Sequence, residues 1–340
     1  DETLNGTAVA ASTWTDSTYS DGTETLAFSG VATAIGNSAT DTLAGDSGAV
    51  DTADTFTTTG AGLVTLNGQD FEGIDALDGD GGAEIDTFNL NSVDFTGSVS
   101  GGAGVDNVNV NADFAGTIDG GEGSDNFVIA DTVALTFAGT AIDGGADATG
   151  NDTDTLNVAA DADALTVSLT GSTADTGFAG TEATIFTGAG GQFDGIDAVT
   201  GSGDETLNGT AVAASTWTDS TYSDGTETLA FSGVETAIGN SAADTLQGSG
   251  AVDTFTVDAG NVDLNGQDFQ GMDVLEGLGN NDIFNVNAAF AGTIDGGDGS
   301  DTIVGTATGN AFVVNDVVNG DGGTVNTTTS FTDVENLTGG

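Results

Sequence analysis

The chain contains no Lys, Arg, His, Cys or Pro in 340 residues, yet it carries 54 Asp plus Glu and 56 Gly. Each absence excludes something. With no basic side chain there is no internal counter-ion, so the formal charge of −54 can be neutralised only by ions from outside the polypeptide. Nucleic acid and anionic lipid surfaces are recognised through Lys and Arg, which disfavours both as partners. Ser/His/Asp and Cys/His nucleophilic sites cannot be assembled, nor can a phosphate-binding loop that needs Lys. A parallel β-helix enzyme acting on acidic sugars would also need a base that this chain lacks. Paired carboxylates can hydrolyse a glycosidic bond, but Asp recurs so evenly that no pair stands out. The sequence reads as non-enzymatic. Zero Cys removes disulfides and thiol chemistry, and no run of about eighteen apolar residues is present to span a bilayer. The chain begins at Asp1 with neither Met nor a signal-peptide pattern, which reads as a processed product or a window of something longer.

What is present is repetition. Apolar residues make up 37% of the chain, with 18 Phe. They recur at fixed spacing, which argues against acidic disorder despite the charge. Residues 1 to 43 return at 204 to 246, with Glu235 in place of Ala32 and Ala243 in place of Thr40. LNGQDFEGIDALDG from Leu66 matches LNGQDFQGMDVLEG from Leu264, and FAGTIDGGEGSDNFV from Phe114 matches FAGTIDGGDGSDTIV from Phe290. Residues 1–203 thus form a first long repeat, and 204–340 a second, shortened one. The closing FTDVENLTGG has the form of FDGIDAVTGSGDETLNGT at Phe193, whose second half is how the chain begins, so the pattern is expected to continue in both directions.

A shorter period lies beneath the long one. Gly-Asp turns alternate with strand-like D-x-apolar segments: Asp41 and Leu43, Asp54 and Phe56, Asp86 and Phe88, Asp106 and Val108, Asp125 and Phe127, Asp154 and Leu156, Asp244 and Leu246, Asp253 and Phe255, Asp282 and Phe284, Asp301 and Ile303. Val108 and Val110 against Asn107, Asn109 and Asn111 alternate with period two. Extended helical periodicity is absent. The expectation is an all-β, right-handed parallel β-solenoid of about 20 residues per coil, in which stacked coils bury an apolar column that no single coil could bury alone. About seventeen coils at about 4.8 Å would give a rod of roughly 80 Å. Its charge density would be close to that of duplex DNA, about one per 1.7 Å. Such a rod resists compaction unless oxygen-ligated divalent cations bind it. The recurring Phe is expected to stack in the core.

Three turns share a fuller pattern. GGAGVDNVN from Gly101, GGEGSDNFV from Gly120 and GGDGSDTIV from Gly296 each satisfy the nonapeptide G-G-x-G-x-D-x-apolar-x. They resemble the repeats-in-toxin, or hemolysin-type, calcium-binding repeats. That resemblance implies bound calcium, with Asp106, Asp125 and Asp301 as carboxylate ligands. It also implies turns made by Gly101, Gly102, Gly104, Gly120, Gly121, Gly123, Gly296, Gly297 and Gly299, with Gly101–Asp106 stacked against Gly120–Asp125. Looser versions end at Asp86, after GDGGAEI, and at Asp282, after GLGNN. The match departs from the family, whose motifs follow every nine residues on both edges of the roll. Here they come about every nineteen on one edge, and the opposite edge carries D-F-x-G at Asp70, Asp94, Asp113 and Asp268. Asp113 aligns with Ala289, which argues against an obligatory ligand there. The recurring F-x-G-[IVM]-[DE] is similar to repetitive regions of large secreted bacterial surface proteins.

Trp14, Tyr19, Trp217 and Tyr222, the only Trp and Tyr residues, lie in the duplicated AVAASTWTDSTYSDGTET block. That block either contacts a neighbouring rod or a glycan, or caps a wider coil. The functional expectation is an extracellular, calcium-stabilised rod or filament of cell-surface adhesion, a surface layer or a biofilm matrix, self-associating end to end or side by side. The rival is a passive calcium-binding spacer of a type 1-secreted adhesin or enzyme whose active domain lies elsewhere.

Overall fold

Short runs of Thr, Val, Asn and Phe broken by Gly-Asp pairs favour strands, because β-branched and aromatic residues suit a pleated surface and the breaks supply turns. The computed structural model describes every residue except 1, 8–10, 46–52, 132, 137–138, 146–151, 175, 189–191, 212–213, 242, 307–308, 316–320 and 340. The described residues form thirty-six strands, mostly paired in parallel, and no helix. Two compact units are present: residues 1–165 with 171–202, and residues 166–170 with 203–340.

In the first unit, one parallel stack runs through Asp41–Ala44, Ala76–Asp78, Ser98–Ala103, Ile118–Glu122, Thr140–Asp143 and Gln192–Ile196. A second runs through Thr55–Gly60, Thr87–Leu90, Asn107–Val110, Asn126–Ala130, Thr155–Ala160 and residues 198–200. Register places like on like. Leu43, Leu77, Val99, Ile118, Ile142 and Phe193 form one buried column, and Phe56, Phe88, Val108, Phe127, Leu156 and Val199 the other. A slip of one residue would turn either column outward, so burial itself fixes the register. Phe56 stacks on Phe88 with centroids 4.7 Å apart, and Phe95 on Phe114 at 6.3 Å, as expected for a core ladder.

The second unit repeats the plan with fewer coils. Asp244–Gln247, Val274–Glu276, Thr293–Asp295 and Thr329–Thr332 form one parallel stack. Thr254–Asp258, Ile283–Val286, Thr302–Gly305 and Asn336–Thr338 form the other. Phe255 and Phe284 stack at 4.7 Å.

Coil length departs from the uniform period. Equivalent acids lie 32, 20, 19, 29 and 43 residues apart in the first unit, and 29, 19 and 34 apart in the second. About 20 residues per coil therefore holds only through Asp86, Asp106 and Asp125 and from Asp282 to Asp301, and a count of seventeen coils is too high. The longer coils carry antiparallel meanders. Thr55–Gly60, Leu63–Leu66 and Gln69–Glu72 form one, and Thr254–Asp258, Asn261–Leu264 and Gln267–Gln270 its copy. Their last turns are the Asn-Gly pairs 67–68 and 265–266, where Asn67 and Asn265 hold φ of 50° and 54°, the left-handed backbone of a two-residue hairpin.

The aromatic block forms another meander, of Ser12–Trp14, Thr18–Ser20 and Thr25–Ala27. Its first strand also pairs in parallel with Asp41, Thr42 and Leu43. Trp14 is buried, with its ring 4.4 Å from Tyr19 and edge-on to Phe28 and Phe71. The Tyr19 hydroxyl accepts the Thr7 N–H at 2.8 Å. Trp217 repeats this arrangement with Tyr222, Phe231 and Phe269. Both indoles fill core rather than face a partner, which supports the coil-capping reading of the block. The native chain should therefore show blue-shifted tryptophan emission and little acrylamide quenching. Strong quenching without denaturant would contradict the burial of both rings.

Candidate functional site: stacked aspartates at the turns

The Asp of each D-x-apolar segment begins a strand or immediately precedes one, and successive coils place these residues over one another. Asp86, Asp106, Asp125, Asp282 and Asp301 are all buried. A buried carboxylate needs a donor, and with no basic side chain available the donor is backbone. Asp54 N–H donates to Asp86 Oδ1, Asp86 N–H to Asp106 Oδ1, Asp106 N–H to Asp125 Oδ1 and Asp125 N–H to Asp154 Oδ1, each at 2.7 Å. Asp154 N–H then donates to Asp197 Oδ2 at 3.0 Å. In the second unit, Asp253 N–H reaches Asp282 Oδ1, Asp282 N–H reaches Asp301 Oδ1 and Asp301 N–H reaches Glu335 Oε2, all at 2.7 Å. Main chain returns the bond: Asn107 N–H donates to Asp86 O and Asn126 N–H to Asp106 O, both at 2.9 Å.

Both ends of each ladder are capped. At the start, the hairpin amides Asn67 Nδ2 and Asn265 Nδ2 donate to Asp54 Oδ1 and Asp253 Oδ1 at 2.5 and 2.8 Å. At the finish stand Asp197 and Glu335, the acids of FDGID and FTDVE. A shorter version links Asp41 N–H to Asp75 Oδ2 and Asp244 N–H to Asp273 Oδ2 at 3.0 Å, again ending on the acid of F-x-G-[IM]-D. Asp41 in turn accepts from the Ser12 hydroxyl and from Ser38 N–H.

The glycines of the motif have separate tasks. Gly102 stacks on Gly121 and Ala103 on Glu122 in register, so the turns 101–104 and 120–123 superimpose, the stacking that the resemblance implied. Gly102 and Gly121 hold φ of 97° and 102°, a backbone that disfavours any side chain. Gly297 and Gly299 likewise lie against the backbone of Leu278 and Asn280 in the adjacent turn. Gly101 does something else. A Cβ there would stand 2.6 Å from Asp106 Oδ2 and collide with the Gly120 carbonyl oxygen. Gly120 has the same relation to Asp125 and the Gly144 carbonyl, Gly277 to Asp282 and the Gly296 carbonyl, and Gly296 to Asp301 and the Asp333 carbonyl. The bare Cα of the first glycine thus lets a carboxylate oxygen of its own turn and a carbonyl oxygen of the next coil both approach it closely.

That carboxylate oxygen is orphaned. Oδ2 of Asp106, Asp125, Asp282 and Asp301 is buried without a hydrogen-bond partner. Burial pushes the Asp125 carboxyl up to about 8, Asp86 to about 7, and Asp106 and Asp282 to about 6. The accepted backbone N–H opposes the rise and neighbouring acids add to it. Asp301 is raised for the same reasons. A second acidic column has Asp119, Asp143 and Asp194 opposite one another in adjacent strands. Burial, then mutual repulsion, raises Asp119 and Asp143. Like charges so placed destabilise a sheet.

Oxygen-only donors, with an orphaned carboxylate oxygen beside a carbonyl, suit a hard divalent cation. Among the described residues no three acidic side chains converge as a metal cluster would. A cation at these turns would therefore take one carboxylate per coil and complete its shell with carbonyls and water. The motif residues of the two units form two separate sets, Asp86, Asp106 and Asp125 in the first and Asp282 and Asp301 in the second. Asp54, Asp154 and Asp253, in looser turns, are rungs of the same ladders. The D-x-apolar spacing marked them, but their turns lack the full motif.

Two outcomes follow from this geometry. Gly101→Ala should destabilise the fold by about 1–3 kcal/mol through overpacking, whereas Gly81→Ala, with open space around its Cβ position, should be neutral in the same melt. Raised carboxyl values mean that the folded, metal-free chain holds protons the unfolded chain has lost. The contribution of Asp86, Asp106 and Asp125 to its stability is fully present below the ordinary value of 3.8 and is lost as pH rises through about 6 to 8. In chelator the melting temperature should fall between about pH 5 and pH 8, and a flat or rising profile would show that the rungs titrate normally.

Comparison of the sequence with models of known protein families gave no match, and comparison with curated proteins gave none.

Proposed function

We propose that this chain is a non-catalytic, calcium-stabilised structural repeat region that works outside the cell, as a rod or filament of a surface layer, an adhesive structure or a matrix. The observation that carries the reading is the orphaned Oδ2 at Asp106, Asp125, Asp282 and Asp301, in a chain of 54 acids and no base. Each such oxygen and a backbone carbonyl of the next coil lie against the same glycine, and two acceptors brought so close call for a positive partner. Asp106, Asp125, Asp282 and Asp301 would hold calcium with carbonyls of the Gly101–Gly104, Gly120–Gly123 and Gly296–Gly299 turns, and Asp86 would extend the row. The ion would supply charge neutralisation where protein supplies none.

Extracellular calcium modules bind in the range of about 10⁻⁴–10⁻³ M. A tenfold excess over that affinity adds about 1.4 kcal/mol per site, so a few sites approach the total stability of an ordinary domain, about 5–15 kcal/mol. Such a chain stays loose where calcium is scarce and orders where it is abundant, which suits export followed by assembly outside.

Circular dichroism melts in chelator and in millimolar calcium test this. Calcium should raise the melting temperature, and chelation should weaken or abolish the β signal. Asp106→Asn sharpens the test, because its amide oxygen can still accept Asp86 N–H while the charge is gone. It should melt above the parent chain in chelator, where a buried charge is a burden, and below it in calcium, where a ligand is missing. The shift should be about 2–4 °C per kcal/mol. The same rank order in both solutions would reject the calcium role.

A further inference from the structure

The two parallel stacks of each unit differ in the charge of their outward side chains. In the first unit, the stack from Asp41–Ala44 to Gln192–Ile196 sets Asp78, Ser100, Asp119, Asp143 and Asp194 side by side in one outward column. The stack from Thr55–Gly60 to residues 198–200 sets Thr57, Asn89, Asn109, Val128, Asn157 and Thr200 side by side instead. The outward column two residues earlier, from Thr55 to Ala198, is equally free of acids. The second unit repeats the contrast. Glu276 and Asp295 stand together in one stack, and Thr256, Asn285, Val304 and Thr338 in the other. In a chain where 54 of 340 residues are acidic, the paired positions of one stack in each unit thus present an uncharged Thr/Asn face.

The side chains of this face are already held. Asn109 Nδ2 donates to Asn89 Oδ1 at 3.0 Å, and Asn111 Nδ2 to Asn91 Oδ1 at 2.9 Å, so less rotamer freedom remains to be lost on contact. An amide has two N–H groups and a carbonyl with two lone pairs, and a Thr hydroxyl both donates and accepts. A surface of such groups is complementary to a copy of itself. A carboxylate column only accepts, and it repels its own copy. Thr55, Asn91 and Asn111 are exposed in the first unit and Ile283, beside Thr254 and Thr302, is 37% exposed in the second, so the face reaches solvent in both.

We propose that the Thr/Asn face docks against the same face of a second copy of this chain, so that two rods lie side by side. Charge decides which faces meet. Chains of −54 repel over a screening distance of about 8 Å at physiological ionic strength, and pairing through the uncharged faces keeps the acidic columns of the other stacks out of the contact. Uncharged ladders of Asn and other small polar groups mate closely between paired sheets. Six strands at about 4.8 Å, each contributing about five residues of about 3.3 Å, give about 500 Å² per molecule from the first unit alone. The total of about 1,000 Å² reaches the lower bound of a specific interface, and the second unit offers a face of its own. Because one patch meets its own copy, the contact is isologous and closes as a pair. The inference deepens the filament reading above and rests on it for calcium, which neutralises the acids outside the contact.

Sedimentation of the full chain over a concentration series in millimolar calcium tests this. The parent chain should form a dimer whose share grows with concentration. Val128 lies between Asn109 and Asn157, whose amides can donate to a carboxylate, so Val128→Asp charges the face at a position suited to hold the charge. Combined with Val304→Asp in the second unit, it should raise the dissociation constant about tenfold or more, because facing like charges oppose contact. Val128→Asn with Val304→Asn extends the amide column and should associate at least as well as the parent. Ser98→Asp with Ser330→Asp adds equal charge to the other stack and should leave association unchanged. Should Asp at 128 unfold the chain, Thr59→Asp with Thr254→Asp reads the same outcome from the rim of the face. The proposal fails if the parent stays monomeric throughout, or if the Ser98 and Ser330 variant loses association as fully as the Val128 and Val304 variant. A monomeric parent retained on a neutral polysaccharide matrix, and released by Val128→Asp with Val304→Asp, would give the face to a glycan and overturn the pairing. Circular dichroism with and without chelator is read on the same samples. A calcium response without association refutes this contact alone, and association without a calcium response refutes only the calcium reading.

Discussion

The structure turns on one bond repeated: the backbone N–H of an aspartate in one coil donates to the carboxylate of the aspartate in the next. Charge-assisted bonds of this kind are stronger than neutral ones, and those from Asp54 to Asp154 and from Asp253 to Asp301 are buried. Because the following residue's N–H returns to the first aspartate's carbonyl, every step between coils is clamped twice at one residue. Strand pairing alone would let parallel segments slide by two residues without exposing a side chain. The carboxylate contact admits a single register, and the Phe and Leu columns are aligned with it.

Aspartate rather than asparagine at the rung has a cost and a consequence. An amide would put a donor in place of the second oxygen, whereas a carboxylate offers a second acceptor, left orphaned at Asp106, Asp125, Asp282 and Asp301. Neutrality then has to come from a proton or from a cation. The first glycine of the motif is part of the same requirement, since any side chain at Gly101 or Gly120 would collide with the carboxylate and with the carbonyl of the next coil.

The parallel stacks, their inward columns and the phenylalanine stacking were legible in the sequence because period-two alternation and D-x-apolar spacing report directly on which side chains share a face. Superposition of the Gly101 and Gly120 turns was implied by the resemblance of their motifs to the hemolysin-type repeats. The inward aim of the carboxylates was not legible. Spacing tells that Asp86, Asp106 and Asp125 stand in line but not which way they point, and a fully buried acid in a chain without bases is the reading that desolvation disfavours. The caps escaped notice because they are remote: Asn67 serves Asp54 across 13 residues and Glu335 serves Asp301 across 34. Coil length was misjudged because the full motifs lie where the coils are shortest, while the meanders lengthen the rest.

Those remote caps bear on how such a chain changes over generations. The first unit strings Asp54, Asp86, Asp106, Asp125, Asp154 and Asp197 between its Asn cap and its terminal acid, while the second strings only Asp253, Asp282, Asp301 and Glu335. Start and finish are alike and only the middle differs. Whole coils can therefore be gained or lost by recombination between near-identical segments without leaving a broken end, and heritable variation in length comes ready-made in the architecture.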